Sequence, residues 1–288
     1  MIDTGRGLMT EAGGESEYAM SDAAVEAFER DGAIVIRNVL PADRVVRMRT
    51  AIDEVLQHGD APHQERAAPG QGRFYNGFFN WLRNDEFRDT ILNSAFGAIA
   101  ARFMRASRVN FFYDQLMVKE AETSEPTPWH QDMAYFPVRG GKVLSIWTPF
   151  DVIVSHSGPV IYVRGSHRWG EKDVRPETFN ERAKRLPVPG EPSDQFEFMS
   201  WDMQPGDCLI HDGYVVHAAP ANSSRGRRRA LATRWVDQDV RFDPRPNTFW
   251  YALAEQGAAV PDPGVVAGEP LQSSTFPQVW PRVPPGNG

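Results

Sequence analysis

The sequence predicts a mainly β protein with flanking helices, arranged as a double-sheet jelly roll behind an N-terminal helical buttress. Amphipathic helical spacing is confined to about the first hundred residues, and from Val109 onward short apolar or alternating runs recur between Gly and Pro turns. The 24 glycines, 23 prolines and 11% aromatic residues also favour many turns between short strands over a helical bundle. Six or seven strands after a helical start are typical of a jelly roll.

The helical part is expected to contain three helices. Ser21-Asp22 is an N-cap signal for a helix that ends near Asp31-Gly32, and a β-branched run at 33–40 predicts a strand. Apolar residues at helical spacing predict a second helix at 41–58 and a third at 85–105. The strands expected in the β region are 109–118, 143–150, 159–163, 196–199, 207–210, 214–217 and 230–236.

The 288 residues are expected to form one folded domain. Residues 1–18 lack periodicity and are interpreted as a flexible tail, and 19–288 show no internal repeat or dividing break in composition. Residues 59–73 and the polar stretch 169–194 are interpreted as loops. Residues beyond 257 are rich in Pro and Gly and are expected to wrap the surface.

Composition excludes several classes of function. A net charge of −7 argues against a general nucleic-acid binder, and no apolar run is long enough for a membrane helix. The single cysteine, Cys208, allows no internal disulfide and no cysteine-built zinc site. The first residues lack a secretory signal pattern, so a cytoplasmic location is expected, and no obligate protein partner is evident.

The most informative segment, Pro128-Trp129-His130-Gln131-Asp132, predicts part of a metal site. On a strand His130 and Asp132 point to one face, and they supply two ligands of the two-histidine, one-carboxylate triad that leaves three iron positions open. His217, which ends a distant apolar run, is the expected third ligand. His-x-Asp alone is a common tripeptide, and a half-buried, hydrogen-bonded histidine is the simpler interpretation of His130 alone.

An arginine follows His217 by eleven residues and predicts a binding site for a carboxylate. A hairpin of this length would return Arg228 to the same cavity, where its guanidinium suits a dicarboxylic co-substrate. The neighbouring arginines 225, 227 and 229 are expected in solvent, although a phosphate-binding patch is an alternative. His211 competes with His217 as a ligand but lacks the downstream spacing, and we interpret it as a structural histidine near the site.

These motifs together resemble the phytanoyl-CoA dioxygenase family of Fe(II)- and 2-oxoglutarate-dependent oxygenases, which have a cupin-like double-stranded β-helix. The resemblance covers residues 31–236 and is carried by His130-Gln131-Asp132, Trp147, Pro205-Gly206-Asp207, His217, Asn222 and Arg228. It implies that His130, Asp132 and His217 hold iron and that Arg228 anchors 2-oxoglutarate. Gln115 and Trp147 match positions that contact the co-substrate, and Lys119 is a weaker candidate.

The resemblance implies a dioxygenase that uses Fe(II), 2-oxoglutarate and O2, oxidises a small molecule and releases succinate and CO2. Hydroxylation is the expected outcome, while desaturation, cyclisation and epimerisation remain open. Asp132 disfavours halogenation, since halogenating members have Gly or Ala there. Ala219 replaces a small hydroxyl residue common in the family, which removes one hydrogen bond to the co-substrate. The alternatives are a metal-binding jelly roll that does not use 2-oxoglutarate, either a cupin-type enzyme or a non-catalytic binding protein.

The substrate is expected to be hydrophobic and ring-bearing, as in secondary metabolism. Residues 72–81 contain five aromatic residues, and Phe74, Tyr75, Asn76 and Phe78 are candidate substrate contacts, although ordinary core packing is equally compatible with the pattern. The charges of 169–194, an expected lid, nearly cancel, so no basic funnel for a coenzyme A phosphate is visible.

Overall fold

The fold described here comes from a computed structural model in which residues 21–169, 196–246 and 248–282 are described. The expected tail at 1–18 and nearly all of the expected lid at 169–194 lie outside these ranges. The helices are α1 (Asp22–Asp31), α2 (Ala42–His58), α3 (Asp85–Asn93), α4 (Phe96–Met104) and α5 (Phe249–Glu255). The strands are β1 (Ala33–Ile36), β2 (His63–Glu65), β3 (Phe74–Phe78), β4 (Val109–Lys119), β5 (Thr127–His130), β6 (Val138–Arg139), β7 (Val143–Pro149), β8 (Ile161–Val163), β9 (Phe198–Met199), β10 (Cys208–Asp212), β11 (His217–Ala219), β12 (Arg228–Asp237), β13 (Arg241–Phe242) and β14 (Gln278–Trp280).

Two packed antiparallel sheets confirm the predicted jelly roll. The larger sheet has eight strands in the order β1-β10-β7-β12-β4-β3-β2, with β14 also paired to β4, and the smaller has the order β5-β11-β8-β9. An apolar cluster between the sheets joins Trp147, Leu209 and Ala232 of the larger sheet to Tyr162 and Met199 of the smaller. The active-site candidates therefore lie between two layers of sheet.

Strand alternation decides which side chains face the site. On β12, Leu231 and Trp235 pack among the residues of helices α1–α4, whereas Ala230 and Ala232 pack between the sheets. Because side chains alternate between the two faces along β12, Arg228 points inward like Ala230 and Ala232. The N-terminal helices thus cover the outer face of the larger sheet, as the helical buttress predicted.

The third helix differs from its prediction, because 85–105 forms two helices that are separated at Ser94. Ser94 has extended backbone (φ −81°, ψ −172°), which cannot continue a helix, and its Oγ accepts a hydrogen bond from the Phe96 amide at 3.3 Å. Ile91 of α3 and Phe96, the first residue of α4, are five residues apart, whereas one face of a continuous helix repeats every three or four. The break allows both residues to reach the same core.

Other boundaries were also predicted wrongly. The strand at 33–40 stops at Ile36, and the amides of Val39 and Leu40 instead donate to the Gly206 carbonyl, both at 3.0 Å. The strand expected at 214–217 begins only at His217, and the loop at 59–73 contains β2. The segment beyond 257 adds strand β14 to the larger sheet and does not simply wrap the surface. No helix in the described ranges has the length and apolar character needed to cross a bilayer.

Candidate active site

His130 and His217 face each other across two strands of the smaller sheet. They are register partners of β5 and β11, and their ring centroids are 4.1 Å apart. The Nδ1 atom of His130 lies 2.8 Å from the Pro128 carbonyl, and that of His217 lies 3.0 Å from the Val215 carbonyl. A carbonyl oxygen only accepts hydrogen bonds, so these contacts place the proton on Nδ1 and leave both Nε2 atoms free to bind a metal.

Asp132 completes the cluster, although not from a strand as expected. It begins a short 3-10 turn, Asp132–Ala134, directly after β5. Its Oδ1 lies 3.6 Å from His130 Nε2 and 3.9 Å from His217 Nε2, and the ligand atoms of the three residues all lie within 4.8 Å of one another. Two imidazole nitrogens and one carboxylate oxygen fit Fe(II) in an open triad.

Electrostatics favour the metal-binding forms of two of these candidate ligands, Asp132 and His217. Burial by itself would raise the pKa of Asp132, but the Arg234 charge and the hydrogen bond from His211 outweigh it and hold that pKa well below its usual value. Burial, together with the His130 and His211 charges, holds the pKa of His217 well below its usual value. A carboxylate and a neutral imidazole are therefore ready to bind a divalent cation.

The Asp132 carboxylate is held by three side chains of the larger sheet. Its Oδ2 accepts a hydrogen bond from Ser145 Oγ at 2.8 Å, and it lies 3.2 Å from His211 Nε2 and 3.5 Å from Arg234 Nη2. His211 thus contacts Asp132 and lies beside the candidate metal site. Neither Ser145 nor Arg234 was singled out from the sequence, although Arg234 is six residues after Arg228 and shares its strand face.

Arg228 is a buried cation with unused donors. Its side chain is almost fully buried, its Nη2 donates to the Gly158 carbonyl at 3.0 Å, and its guanidinium lies 5.5 Å from the Trp147 ring centroid. Within the described ranges, Nε and Nη1 have no hydrogen-bond partner. Burial lowers the pKa of Arg228 to about 10, so it stays charged at neutral pH. Two buried donors beside an aromatic ring fit the distal carboxylate of 2-oxoglutarate.

The hairpin that carries Arg228 is tied to β4 by Asn222. The Asn222 side-chain amide donates to the carbonyls of Lys119, Glu120 and Gly226 at 2.8–3.1 Å.

The arginines next to Arg228 lie in different surroundings. Arg225 is exposed, and Arg229 pairs with Asp151 at 2.8 Å. Only Arg228 reaches this interior position, as expected, but the expectation of solvent exposure is wrong for Arg229, whose side chain is only 14% exposed.

A cavity of about 340 Å³ opens onto His130 and Asp132. Phe74, Asn76 and Phe78 line it from alternate positions of β3, whereas Tyr75 falls on the opposite face and packs in the helix-covered core. The segment 72–81 therefore contains a regular strand, with one face toward the cavity and the other in the core. The remaining lining residues are Gln64, Arg66, Tyr113, Gln115, Met117, Thr127, Pro128, Tyr135, Phe136, Phe249, Ala252, Leu253 and Gln256.

The two expected co-substrate contacts occupy different places. Trp147 is buried between the sheets beside Arg228, while Gln115 lies on the cavity wall and donates from Nε2 to Asn76 Oδ1 at 2.7 Å. Sequence reasoning missed Tyr113, Tyr135, Phe136 and Phe249, which bring four more rings to the cavity. Alternation along β4 could have identified Tyr113, two residues before Gln115, but nothing in the local pattern indicated Phe249 of α5.

The fold and the site together define an Fe(II)- and 2-oxoglutarate-dependent oxygenase. Residues 28–230 match the phytanoyl-CoA dioxygenase (PhyH) family, and the chain belongs to that family. It is a non-haem iron dioxygenase with 2-oxoglutarate and O2 as co-substrates. The predicted enzyme class and cofactors are thereby confirmed.

Curated relatives agree with this assignment. The chain is similar to dioxygenase olcK of Penicillium canescens, with 23% identity over 225 residues that cover 73% of this chain and 68% of the relative. It is 24% identical to the multifunctional dioxygenase prhA of Penicillium brasilianum over 245 residues, 77% of this chain and 74% of the relative.

Two solved structures share the fold. The non-heme alpha ketoglutarate dependent carbocyclase SnoK from nogalamycin biosynthesis superposes with a TM-score of 0.75 at 23% identity, covering 90% of this chain and 96% of SnoK. The epimerase SnoN, solved with Fe3+, alpha ketoglutarate and nogalamycin RO, gives a TM-score of 0.74 at 24% identity, covering 90% of this chain and 100% of SnoN.

Proposed function

We propose that this dioxygenase hydroxylates a small, hydrophobic, ring-bearing molecule of secondary metabolism. The observation that carries the proposal is a set of six aromatic side chains that line the cavity next to His130 and Asp132. They are Phe74, Phe78, Tyr113, Tyr135, Phe136 and Phe249. Aromatic faces bind flat apolar ligands through a large contact area, and a cavity of about 340 Å³ is within the size range of small-molecule sites.

Polar groups on the same wall would orient the substrate. Because Gln115 donates its amide to Asn76 Oδ1, the Asn76 amide nitrogen and the Gln115 oxygen remain as one donor and one acceptor. A ring system with a carbonyl or hydroxyl group would complement that pair. Among the lining residues in the described ranges, Asp132 is the one carboxylate, and it belongs to the metal triad. The wall therefore suits a neutral or anionic substrate better than a cationic one.

The chain's own residues would hold the reactants in place. His130, Asp132 and His217 would bind the metal, and Arg228 beside Trp147 would hold the distal carboxylate of 2-oxoglutarate. Iron and 2-oxoglutarate supply the oxidising power when bound, with succinate and CO2 as products. The aromatic wall would exclude water and keep one C–H bond of the substrate near the metal.

The names of similar proteins support a role in secondary metabolism. SnoK and SnoN are a carbocyclase and an epimerase from nogalamycin biosynthesis, and SnoN was solved with nogalamycin RO. A reducing cytoplasmic location is part of the proposal, and it is supported by the single cysteine, which is free and buried. We propose a small-molecule substrate as its partner, and no nucleic-acid, membrane or obligate protein partner.

Substrate-stimulated succinate release tests the proposal. The purified enzyme, loaded with Fe(II) and 2-oxoglutarate, is screened under air against aromatic and polycyclic compounds and against acyl-CoA thioesters. We expect saturable stimulation by ring compounds and a product heavier by one oxygen atom in mass spectrometry. Efficient turnover of an acyl-CoA would overturn the substrate class, and a product without added oxygen would overturn hydroxylation.

A pair of variants on β3 links the result to the cavity. Phe78→Ala removes a ring from the wall and is expected to raise the KM for the ring compound. Tyr75→Phe removes a hydroxyl on the opposite face of the same strand and is expected to leave that KM unchanged. Equal effects of the two changes would contradict the assigned substrate wall.

A further inference from the structure

Three side chains that hold Asp132 form one row across the larger sheet. His211 of β10 is the register partner of Ser145 of β7, and Ser145 is the register partner of Arg234 of β12. All three side chains are buried. Neighbouring strands lie about 4.8 Å apart, so a row of three positions spans about 10 Å and its side chains can converge on one carboxylate.

The row engages one oxygen of that carboxylate. Ser145 Oγ at 2.8 Å, His211 Nε2 at 3.2 Å and Arg234 Nη2 at 3.5 Å all approach Oδ2 of Asp132. The other oxygen, Oδ1, faces Nε2 of His130 and of His217. Oδ2 of Asp132 thus contacts protein side chains, whereas Oδ1 faces the position that a metal would occupy.

Tyr162 sets the tautomer of His211. An ionised carboxylate only accepts hydrogen bonds, so His211 must carry its proton on Nε2 to donate to Asp132. Its Nδ1 is then an acceptor, and the Tyr162 hydroxyl, 3.1 Å away, donates to it. Tyr162 therefore donates a hydrogen bond to His211, and His211 donates one to Asp132.

We propose that Ser145, His211 and Arg234, with Tyr162 behind His211, position Asp132 as a one-oxygen ligand of iron. A carboxylate that bound iron through both oxygens would occupy one more coordination position. The two positions then left would be filled by a chelating 2-oxo acid, with none remaining for O2. Holding Oδ2 away from a bound metal would keep the third position open.

These four residues act through Asp132 and not on the substrate. None of them is among the described residues that line the cavity. The proposal depends on the iron site and is independent of the substrate class, so failure of the ring-compound screen would leave it untouched.

Metal binding without substrate tests the proposal. Fe(II) affinity is measured anaerobically for Ser145→Ala and His211→Ala, together with the visible charge-transfer band that forms when a 2-oxo acid chelates Fe(II). We expect Fe(II) affinity to fall about 10- to 100-fold, as is typical when a partner of a metal ligand is removed, with an altered band and an unchanged near-UV circular dichroism spectrum.

Matched controls separate positioning from general loss of packing. Thr148 is on the same strand as Ser145, and its buried hydroxyl contacts Cys208 Sγ at 3.1 Å and not Asp132. The Thr148→Val variant is therefore expected to bind Fe(II) normally. His211→Gln retains an N–H donor and is expected to restore most of the affinity lost in His211→Ala. Native affinity and an unaltered band in both alanine variants would overturn the proposal, as would equal losses in Thr148→Val.

Discussion

Lys119 and Arg228 are directly opposite each other on β4 and β12, and the amino group of one and the guanidinium of the other are both buried in the interior. Lys119 Nζ donates to the Pro220 carbonyl at 2.9 Å, while Arg228 Nη2 donates to the Gly158 carbonyl at 3.0 Å. Burial, and then the Arg228 charge, lower the pKa of Lys119 to about 6. At neutral pH the lysine is therefore largely uncharged, and Arg228 is the cation of the pair available to a carboxylate.

Arg228→Ala is expected to raise the 2-oxoglutarate concentration needed for half-maximal succinate formation while Fe(II) still binds. Loss of one partner of a buried charge pair costs about 2–5 kcal/mol, which corresponds to about 30-fold to several thousand-fold. Steady-state kinetics with 2-oxoglutarate as the varied reactant measures the effect. Arg225→Ala, at an exposed position of the same hairpin, should change little. Similar effects at both positions would indicate a nonspecific basic patch.

Lys119→Met is expected to flatten the pH dependence of stability in the enzyme without 2-oxoglutarate. Between pH 6 and 10 the unfolded chain binds a proton at this lysine that the folded chain does not, so the free energy of unfolding rises with pH. The slope contributed is up to about 1.4 kcal/mol per pH unit. Urea unfolding at several pH values measures it, with Lys142→Met, at an exposed lysine, as the control. Parallel profiles for wild type and Lys119→Met would contradict the buried neutral lysine.

Alanine at His130, Asp132 or His217 is expected to abolish turnover and leave the fold intact, because each change removes one ligand from a site built by the surrounding strands. His211→Ala should retain measurable, although weaker, iron binding. Succinate formation, bound iron and circular dichroism together provide the measurement. Iron loss in His211→Ala with iron retention in His217→Ala would show that the ligands had been assigned wrongly.

Metal removal is expected to lower the Tm without unfolding the protein at room temperature. The two histidines donate hydrogen bonds to backbone carbonyls and the Asp132 carboxylate accepts one from Ser145, so the site does not depend on the metal for its shape. At a hundredfold excess over Kd, a metal contributes about 2.7 kcal/mol, or roughly 5 °C in Tm. Differential scanning calorimetry with and without chelator under nitrogen measures it. Loss of the cooperative transition after chelation would show that folding requires the metal.

The sequence by itself was sufficient to predict the fold class and to single out candidate residues for the chemistry. Strands with a period of two and frequent turns predicted the jelly roll, because those patterns depend on local backbone geometry. His130, Asp132, His217 and Arg228 were identifiable because their types and spacings match what an iron and carboxylate site requires. Even so, the strand argument for Asp132 was wrong, since it lies on a 3-10 turn after β5.

Only the tertiary structure decided which distant residues meet. The row of His211, Ser145 and Arg234 comes from three strands whose register is set by pairing between segments far apart in the chain. Likewise, Phe249 reaches the cavity because α5 packs against it, and Tyr75 is excluded because its strand face is turned toward the helices. A local sequence pattern specifies the periodicity of one element, whereas sheet register and packing depend on non-local contacts that no single segment encodes.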